Sequence, residues 1–329
     1  MRLRALVMIR DEIDIIELFL RHCDALFDEV YLLDHLSIDG TQEILKEVVR
    51  ERPGWKYYRI TFKQWMQKTI YDAFYRKFAD DEFDYLFPLD ADEFIWVKDR
   101  EELENKLKPY AGSPQVLAHE WINAIPTKTQ CQRVLSARST LRVSKSIAKF
   151  TKVVIPSCLI REREVRNVTG NHVVYSAAGE LYPLLKIGKM LHIPLRSRDQ
   201  IICKSIVTEI GRQLDLEQTI YESVQYRMFL NSYLQNGLNP EEIINSLFVY
   251  QDAGAQRPSD WYKEFVQSGS YKSTIEKMNL AVSGRMKLRS GRIKVNLATQ
   301  VANALVSNHP IKPSEAKIRI TEDTIDLEE

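Results

Sequence analysis

Tyr85-Leu86-Phe87-Pro88-Leu89-Asp90-Ala91-Asp92-Glu93-Phe94 is an apolar run that stops at a carboxylate. A short apolar stretch bounded by charge reads as a buried strand. Asp90 and Asp92, two positions apart, project to the same face of an extended chain. Upstream, Leu3 to Ile9 and Val30 to Leu33 are similar runs ending at Arg10 and Asp34, and Trp55 to Ile60 alternates as a further strand. Between them Ile13, Ile16, Phe19, Leu20 and Cys23 recur at helical spacing, Thr41 stands where it caps a helix carrying Ile44, Leu45 and Val48, and 64–79 reads as a third helix. Strands alternating with helices predict an α/β fold with a doubly wound, mostly parallel sheet.

From about residue 115 the pattern loosens. Val116 to Trp121, Thr151 to Ile155, His172 to Tyr175 and Lys189 to Ile193 read as strands joined by polar connections, with no Pro/Gly/Ser linker before them. After about residue 200 the periodicity becomes helical, over 200–212, 216–236 and 240–248, with Pro240 at a helix start. The last residues, from Arg319, are acidic and expected to fray.

The 329 residues are 44% hydrophobic and 28% charged, the composition of an ordinary globular chain long enough to bury a core. A formal charge of +1 points away from nucleic acid as a bulk partner. Cys23, Cys131, Cys158 and Cys203 share no metal or redox spacing, so they read as buried thiols and a reducing compartment. The apolar run at the N-terminus is too short for a secretory signal, and no stretch approaches a membrane span. Together these predict a cytoplasmic protein. The segment from Arg285 to Val295 interleaves Arg285, Lys287, Arg289, Arg292 and Lys294 with apolar residues. Its default reading is a solvated helix face, and its alternative is peripheral contact with anionic lipid at the inner face of the membrane.

Ligands of open α/β sheets bind outside the carboxyl ends of the strands. That places Asp90 and Asp92 where a divalent cation and a diphosphate would meet, and their hard oxygens suit Mn²⁺ or Mg²⁺. Three strand ends share that edge. Arg10 suits a diphosphate, Glu12 a ribose hydroxyl, and Asp34 a base imide; the plain alternative is that Arg10-Asp11-Glu12 only caps the first helix.

The order of motifs resembles the family 2-like glycosyltransferases of GT-A fold. The residues that carry it are Arg10-Asp11-Glu12, Asp34-x-x-Ser37-x-Asp39-Gly40-Thr41, Gln67-x-x-x-Tyr71-Asp72, Asp90-Ala91-Asp92-Glu93-Phe94, Gly170-Asn171-His172 and His192-Ile193-Pro194-Leu195-Arg196-Ser197. The tandem is most similar to a bacterial branch with DxDEF, GNH and HxPxRS segments, and it spans about residues 3 to 205. Arg10-Asp11, His35 and Asp72 depart from that branch's usual Lys-Asn, Asn and Asn.

The resemblance implies a Rossmann-like GT-A domain over 1–205, with a nucleotide-sugar half to about 97 and an acceptor half from 98. A helical region over 206–318 and an acidic tail over 319–329 would follow. It implies metal-dependent, inverting transfer of a sugar from a nucleotide-sugar donor, a UDP-sugar above all, to a carbohydrate or glycolipid hydroxyl in surface polysaccharide or glycolipid synthesis. Nucleotide contacts would come from Arg10, Glu12, Asp34, Gln67 and Asp90, and metal contacts from Asp90, Asp92 and His192. Inversion requires a base, for which His172 and Asp199 are candidates and Glu120 a third. Two other readings compete. A sugar nucleotidyltransferase should carry a glycine-rich loop after the first strand, but residues 8 to 14 contain no glycine. A non-catalytic carbohydrate-binding protein would have no need of both Asp90 and Asp92.

Overall fold

The computed structural model describes residues 1–62, 65–127, 134–162, 165–168, 170–214, 224–236, 270–284, 286 and 317–327. The first half runs β1 (Leu3–Ile9), α1 (Ile16–Leu26), β2 (Glu29–Asp34), α2 (Thr41–Glu51), β3 (Trp55–Ile60), α3 (Gln67–Lys77), β4 (Tyr85–Asp90) and β5 (Glu93–Ile95). There follow α4 (Arg100–Leu107), β6 (Leu117–Pro126), β7 (Thr140–Ser144), β8 (Thr151–Pro156), α5 (Ser157–Arg161), β9 (Val165–Asn167), β10 (Val174–Ser176) and β11 (Leu185–His192). Beyond these lie α6 (Arg198–Leu214), α7 (Val224–Asn236), β12 (Ser270–Thr274), β13 (Ile318–Ile320) and β14 (Thr324–Leu327).

One twelve-stranded sheet runs β12-β7-β6-β8-β4-β1-β2-β3-β14-β13, with β11 pairing both β5 and β6. The block β4-β1-β2-β3 is parallel, as the apolar runs predict, with Ile9 opposite Asp34 and Met8 opposite Asp90. Antiparallel pairings of β4 with β8 and of β6 with β8 and β7 carry the sheet into the second half. Helices cover both faces. Leu3, Ala5, Val7 and Ile9 pack with Ile16, Phe19, Leu20, Ile44 and Leu45, while Leu6 and Met8 pack with Ile70, Tyr71 and Phe74. Each of the Val, Leu, Ile, Phe and Met side chains among these contributes about 1.5–3 kcal/mol on burial, which is why the alternation along β1 decides that the sheet is sandwiched.

The chain proceeds outward from β1 to β2 and β3, then returns to β4 on the other side of β1. The carboxyl ends of β1 and β4 therefore flank a topological switch point, where loops diverge and leave a crevice.

Several expectations are corrected. Thr41 is the first residue of α2 and Gly40, at φ +106°, precedes it; the Thr41 hydroxyl accepts from the Glu12 N–H instead. His172 lies in a turn before β10 because Asn171 adopts φ +55°, which no strand tolerates. The stretch after 205 is not purely helical: β12 pairs antiparallel with β7. Nor does the tail fray. β14 pairs parallel with β3, the Thr61 N–H donates to Ile325 O, and Ile325 is fully buried. Unpaired groups on a sheet edge recruit a strand, and alternating Ile318, Ile320, Ile325 and Leu327 supply one that charge counting overlooks.

Helix 240–248, residues 216–223 of the expected 216–236 helix, the basic positions of 285–295 and Cys131 lie outside the described residues. Cys23 and Cys203 are buried and Cys158 half-buried, all as free thiols. Among the described residues no helix is long and apolar enough to cross a membrane.

Candidate functional site

The loop after β1 is held by the loop after β2. Asp11, at φ +53°, accepts from Ile38 N–H, while Ser37 Oγ accepts from Asp11 N–H. Asp39 accepts from Ile13 and Thr41 N–H groups. Asp34 is fully buried, and its two oxygens take the Ser37 N–H at 3.0 Å and the Tyr57 hydroxyl at 2.9 Å. Burial lifts its carboxyl above the ordinary range, against the bonds from Ser37 and Tyr57. Arg10 is half-buried, and its Nε–H makes no hydrogen bond among the described residues. His35 is buried beside the partly exposed Trp65, with ring centroids 5.2 Å apart.

At the end of β4, Asp90 Oδ1 accepts from Gln67 Nε2 at 3.1 Å and Oδ2 from Lys152 Nζ at 2.8 Å. Gln67 Oε1 in turn accepts from the Gly170 N–H, so both ends of this amide brace the Asp90 turn against the Gly170-Asn171-His172 loop. Lys152 is wholly buried and also reaches Glu93 Oε2 at 2.9 Å and Gly170 O at 3.0 Å. Burial works against the charge of Asp90, but the Lys152 ammonium outweighs it and holds that carboxyl below its usual range. Glu93 is pushed well above, by burial first, with Asp90 and Asp92 adding to it against Lys152.

Asp92 lies on a different network. The Ile193 N–H donates to Asp92 O, which seats the end of β11 beside it. His192 Nε2 is 4.0 Å from Asp92 Oδ1, and His192 Nδ1 is 2.8 Å from Asn123 Oδ1. The amide oxygen fixes the tautomer with the proton on Nδ1. Burial first, then Lys152, depress the imidazole well below its ordinary value, so it is neutral, and it stacks on Trp121 with centroids 3.9 Å apart.

Two cations close the cluster from α6 and the loop before it. Arg196 Nε bonds both oxygens of Asp14 at 2.9 and 3.0 Å, Nη2 bonds Glu12, and Nη1 is 3.7 Å from Asp92 Oδ2. Lys204 Nζ is 3.2 Å from Glu12 Oε1 and 3.8 Å from Asp92 Oδ2.

The three candidate bases are in different settings. His172 Nδ1 donates to Thr151 O at 2.8 Å, and its ring packs on Trp121 and Phe150. A Cβ on Gly170, at φ +84°, would stand 2.6 Å from His172 Nε2, so only glycine admits the ring here. Burial, then Lys152, lower His172 to about 4. Asp199 is 48% exposed with Arg198 3.5 Å away, and Glu120 pairs with Lys186 at 2.7 Å.

The fold thus brings Glu12, Asp90, Asp92, His172 and His192 to one edge. Lys152, Arg196, Lys204, Asn123 and Asp14 belong to the same cluster and were given no role from sequence. Lys152 had a signal, a lysine inside the apolar strand Thr151-Lys152-Val153-Val154-Ile155. For a divalent cation the fitting donors are Asp92 and neutral His192, since a ligating imidazole must be unprotonated and oriented by a bond to its other nitrogen. Asp90 fits less well as a direct ligand, because both its oxygens already accept hydrogen bonds. Among the described residues no group of three or more His, Cys, Asp or Glu side chains converges as a metal cage.

No protein-family model and no curated protein matches this chain. Among solved structures, residues 1–349 of TarS from S. aureus align at 13% identity over 75% of this chain and 79% of that one, with a TM-score of 0.35. The same TarS segment in complex with UDP aligns at 15% identity over the same shares, with a TM-score of 0.30. The mannosyltransferase PcManGT from Pyrobaculum calidifontis, in complex with GDP-Man and Mn²⁺, aligns at 12% identity over 84% of each chain, with a TM-score of 0.39.

Proposed function

We propose that the chain is a divalent-metal-dependent, inverting glycosyltransferase that takes a sugar from a nucleotide-sugar, a UDP-sugar in the first instance, to a carbohydrate or glycolipid hydroxyl. Surface polysaccharide or glycolipid synthesis is the setting that fits such an acceptor. One observation carries the reading. At the switch point between β1 and β4, Asp92 lies within 4.0 Å of a neutral, oriented His192, of Arg196 and of Lys204, so a cation-binding pair and two positive charges share one crevice. A sugar diphosphate is the substrate whose charge needs both.

Asp92 and His192 would hold Mn²⁺ or Mg²⁺. When bound, the ion neutralises charge on the departing diphosphate. Arg10, on the loop after β1, and Glu12, held there by Arg196 and Lys204, are the nucleotide contacts in this reading. Asp90 acts indirectly, as the anchor that Lys152 and Gln67 hold so that the turn presents Asp92. His172, neutral at ordinary pH, is the favoured base: its Nδ1 proton is committed to Thr151 O, which leaves the Nε2 lone pair to accept the acceptor's hydroxyl proton. The hydroxyl oxygen then bonds to the anomeric carbon as the bond from that carbon to the diphosphate oxygen breaks.

The test is a panel of UDP-, GDP-, dTDP- and CMP-sugars with Mn²⁺, read as the thermal unfolding midpoint and as nucleotide release with mixed glycan acceptors. One donor should raise the midpoint in a metal-dependent way, because a ligand of the native state stabilises it. A panel without any shift sinks the reading.

A further inference from the structure

Lys204 has a position that its ion pairs do not use up. The cluster holds three carboxylates, on Glu12, Asp14 and Asp92, and Arg196 alone already contacts all three. The side chains of Arg196, Glu12, Asp14 and Asp92 are 1%, 8%, 8% and 7% exposed, whereas Lys204 is 31% exposed. Among the described residues of this group, Lys204 is the most exposed. An ammonium carries three donors on a flexible stem; Glu12 takes one at 3.2 Å, and Asp92 at 3.8 Å lies beyond hydrogen-bond range.

The charges point the same way. Three carboxylates against two cations leave this cluster at −1. A divalent ion at Asp92 would bring it to +1 and release Lys204 from its longer contact. The result is a positive crevice with a mobile ammonium at its open side, the complement of a diphosphate.

We propose that Lys204, carried by α6, is the residue that recognises the second phosphate group of the nucleoside diphosphate, with Arg196 as the buried anchor that sets α6 over the crevice. This rests on the donor reading above and adds to it a determinant of phosphate number. It also assigns α6, which follows β11, to the donor side of the site.

Calorimetric titration of the full chain in Mn²⁺ buffer with UDP, UMP, GDP and GMP tests it, on wild type, Lys204→Gln and Lys204→Arg. Wild type should prefer one diphosphate over its monophosphate. Lys204→Gln should lose about tenfold or more in diphosphate affinity with the monophosphate little changed, as expected for a charged hydrogen bond. Lys204→Arg should keep most of the preference. The readout is a ratio of affinities on one preparation, so a partly unfolded variant does not imitate the result. Wild-type binding with the preference intact in Lys204→Gln overturns the assignment of Lys204 alone. Wild type binding none of the four nucleotides overturns the donor reading and this inference with it.

Discussion

Lys152 places its ammonium 2.8 Å from Asp90 Oδ2 and 2.9 Å from Glu93 Oε2, and its side chain has no exposure to solvent. A charge is expensive to bury unless it is paired and hydrogen-bonded, and here Gly170 O completes the shell. The turn bearing Asp90 and Asp92 is therefore tied by a lysine 62 residues away in sequence, in addition to its own hydrogen bond from the Asp90 N–H to Glu93 Oε2.

Lys152→Met should destabilise the protein by about 3–5 kcal/mol, the usual result of removing one partner from a buried pair. Urea denaturation measures it. Asp90→Asn combined with Lys152→Met should lose less than the sum of the two single changes, since the residues share one interaction. Strict additivity would mean that the pair is not coupled.

His119 gives a pH prediction with a definite sign. It is buried with neither ring nitrogen hydrogen-bonded among the described residues, and burial, then Lys106, lower it to about 3. The native state refuses a proton that the unfolded chain binds below about pH 6.5, so this group's contribution is present at neutral pH and lost as pH falls. His119→Phe removes that linkage while filling similar space. The stability of the variant relative to wild type should rise by up to about 1.4 kcal/mol per pH unit below about pH 6.5. Parallel urea-midpoint profiles for the two proteins would contradict this.

Asp92→Asn should abolish transfer with the fold intact, and excess chelator should do the same to wild type until Mn²⁺ is restored. Asn123→Ala acts one step back, through the His192 tautomer. It should weaken the apparent Mn²⁺ affinity by about 10–100-fold, as loss of an outer partner of a metal ligand typically does. Full transfer in chelator would remove Asp92 and His192 from the chemistry.

For the base, His172→Ala should lower turnover by about 10²–10⁴ with donor affinity little changed. Asp199→Asn, altering an exposed side chain at the start of α6, should leave turnover near wild type. Because His172 is lowered to about 4, wild-type turnover should stay level as pH falls to about 5 and decline only below that, where the ring gains a proton. An acid limb near the ordinary histidine value, or an inactive Asp199→Asn, would move the base elsewhere.

The parallel block was legible because the information is local. The runs at Leu3–Ile9, Val30–Leu33 and Tyr85–Leu89 state their own burial, since parallel strands buried on both faces read as continuous apolar segments, while Trp55–Ile60 announces itself by alternation. That carried Glu12, Asp34 and Asp90 to one edge before any contact was known. The division of labour between Asp90 and Asp92 was not legible, because it depends on which cation each meets: Lys152 from β8 for one, Arg196 and Lys204 from around α6 for the other. The return of the acidic tail as β14 likewise depended on the open edge of β3, which no window of the tail contains. Hydrophobic periodicity encodes which face of an element is buried; the pairing of charges and strand edges far apart in sequence is decided only when the tertiary fold brings them together.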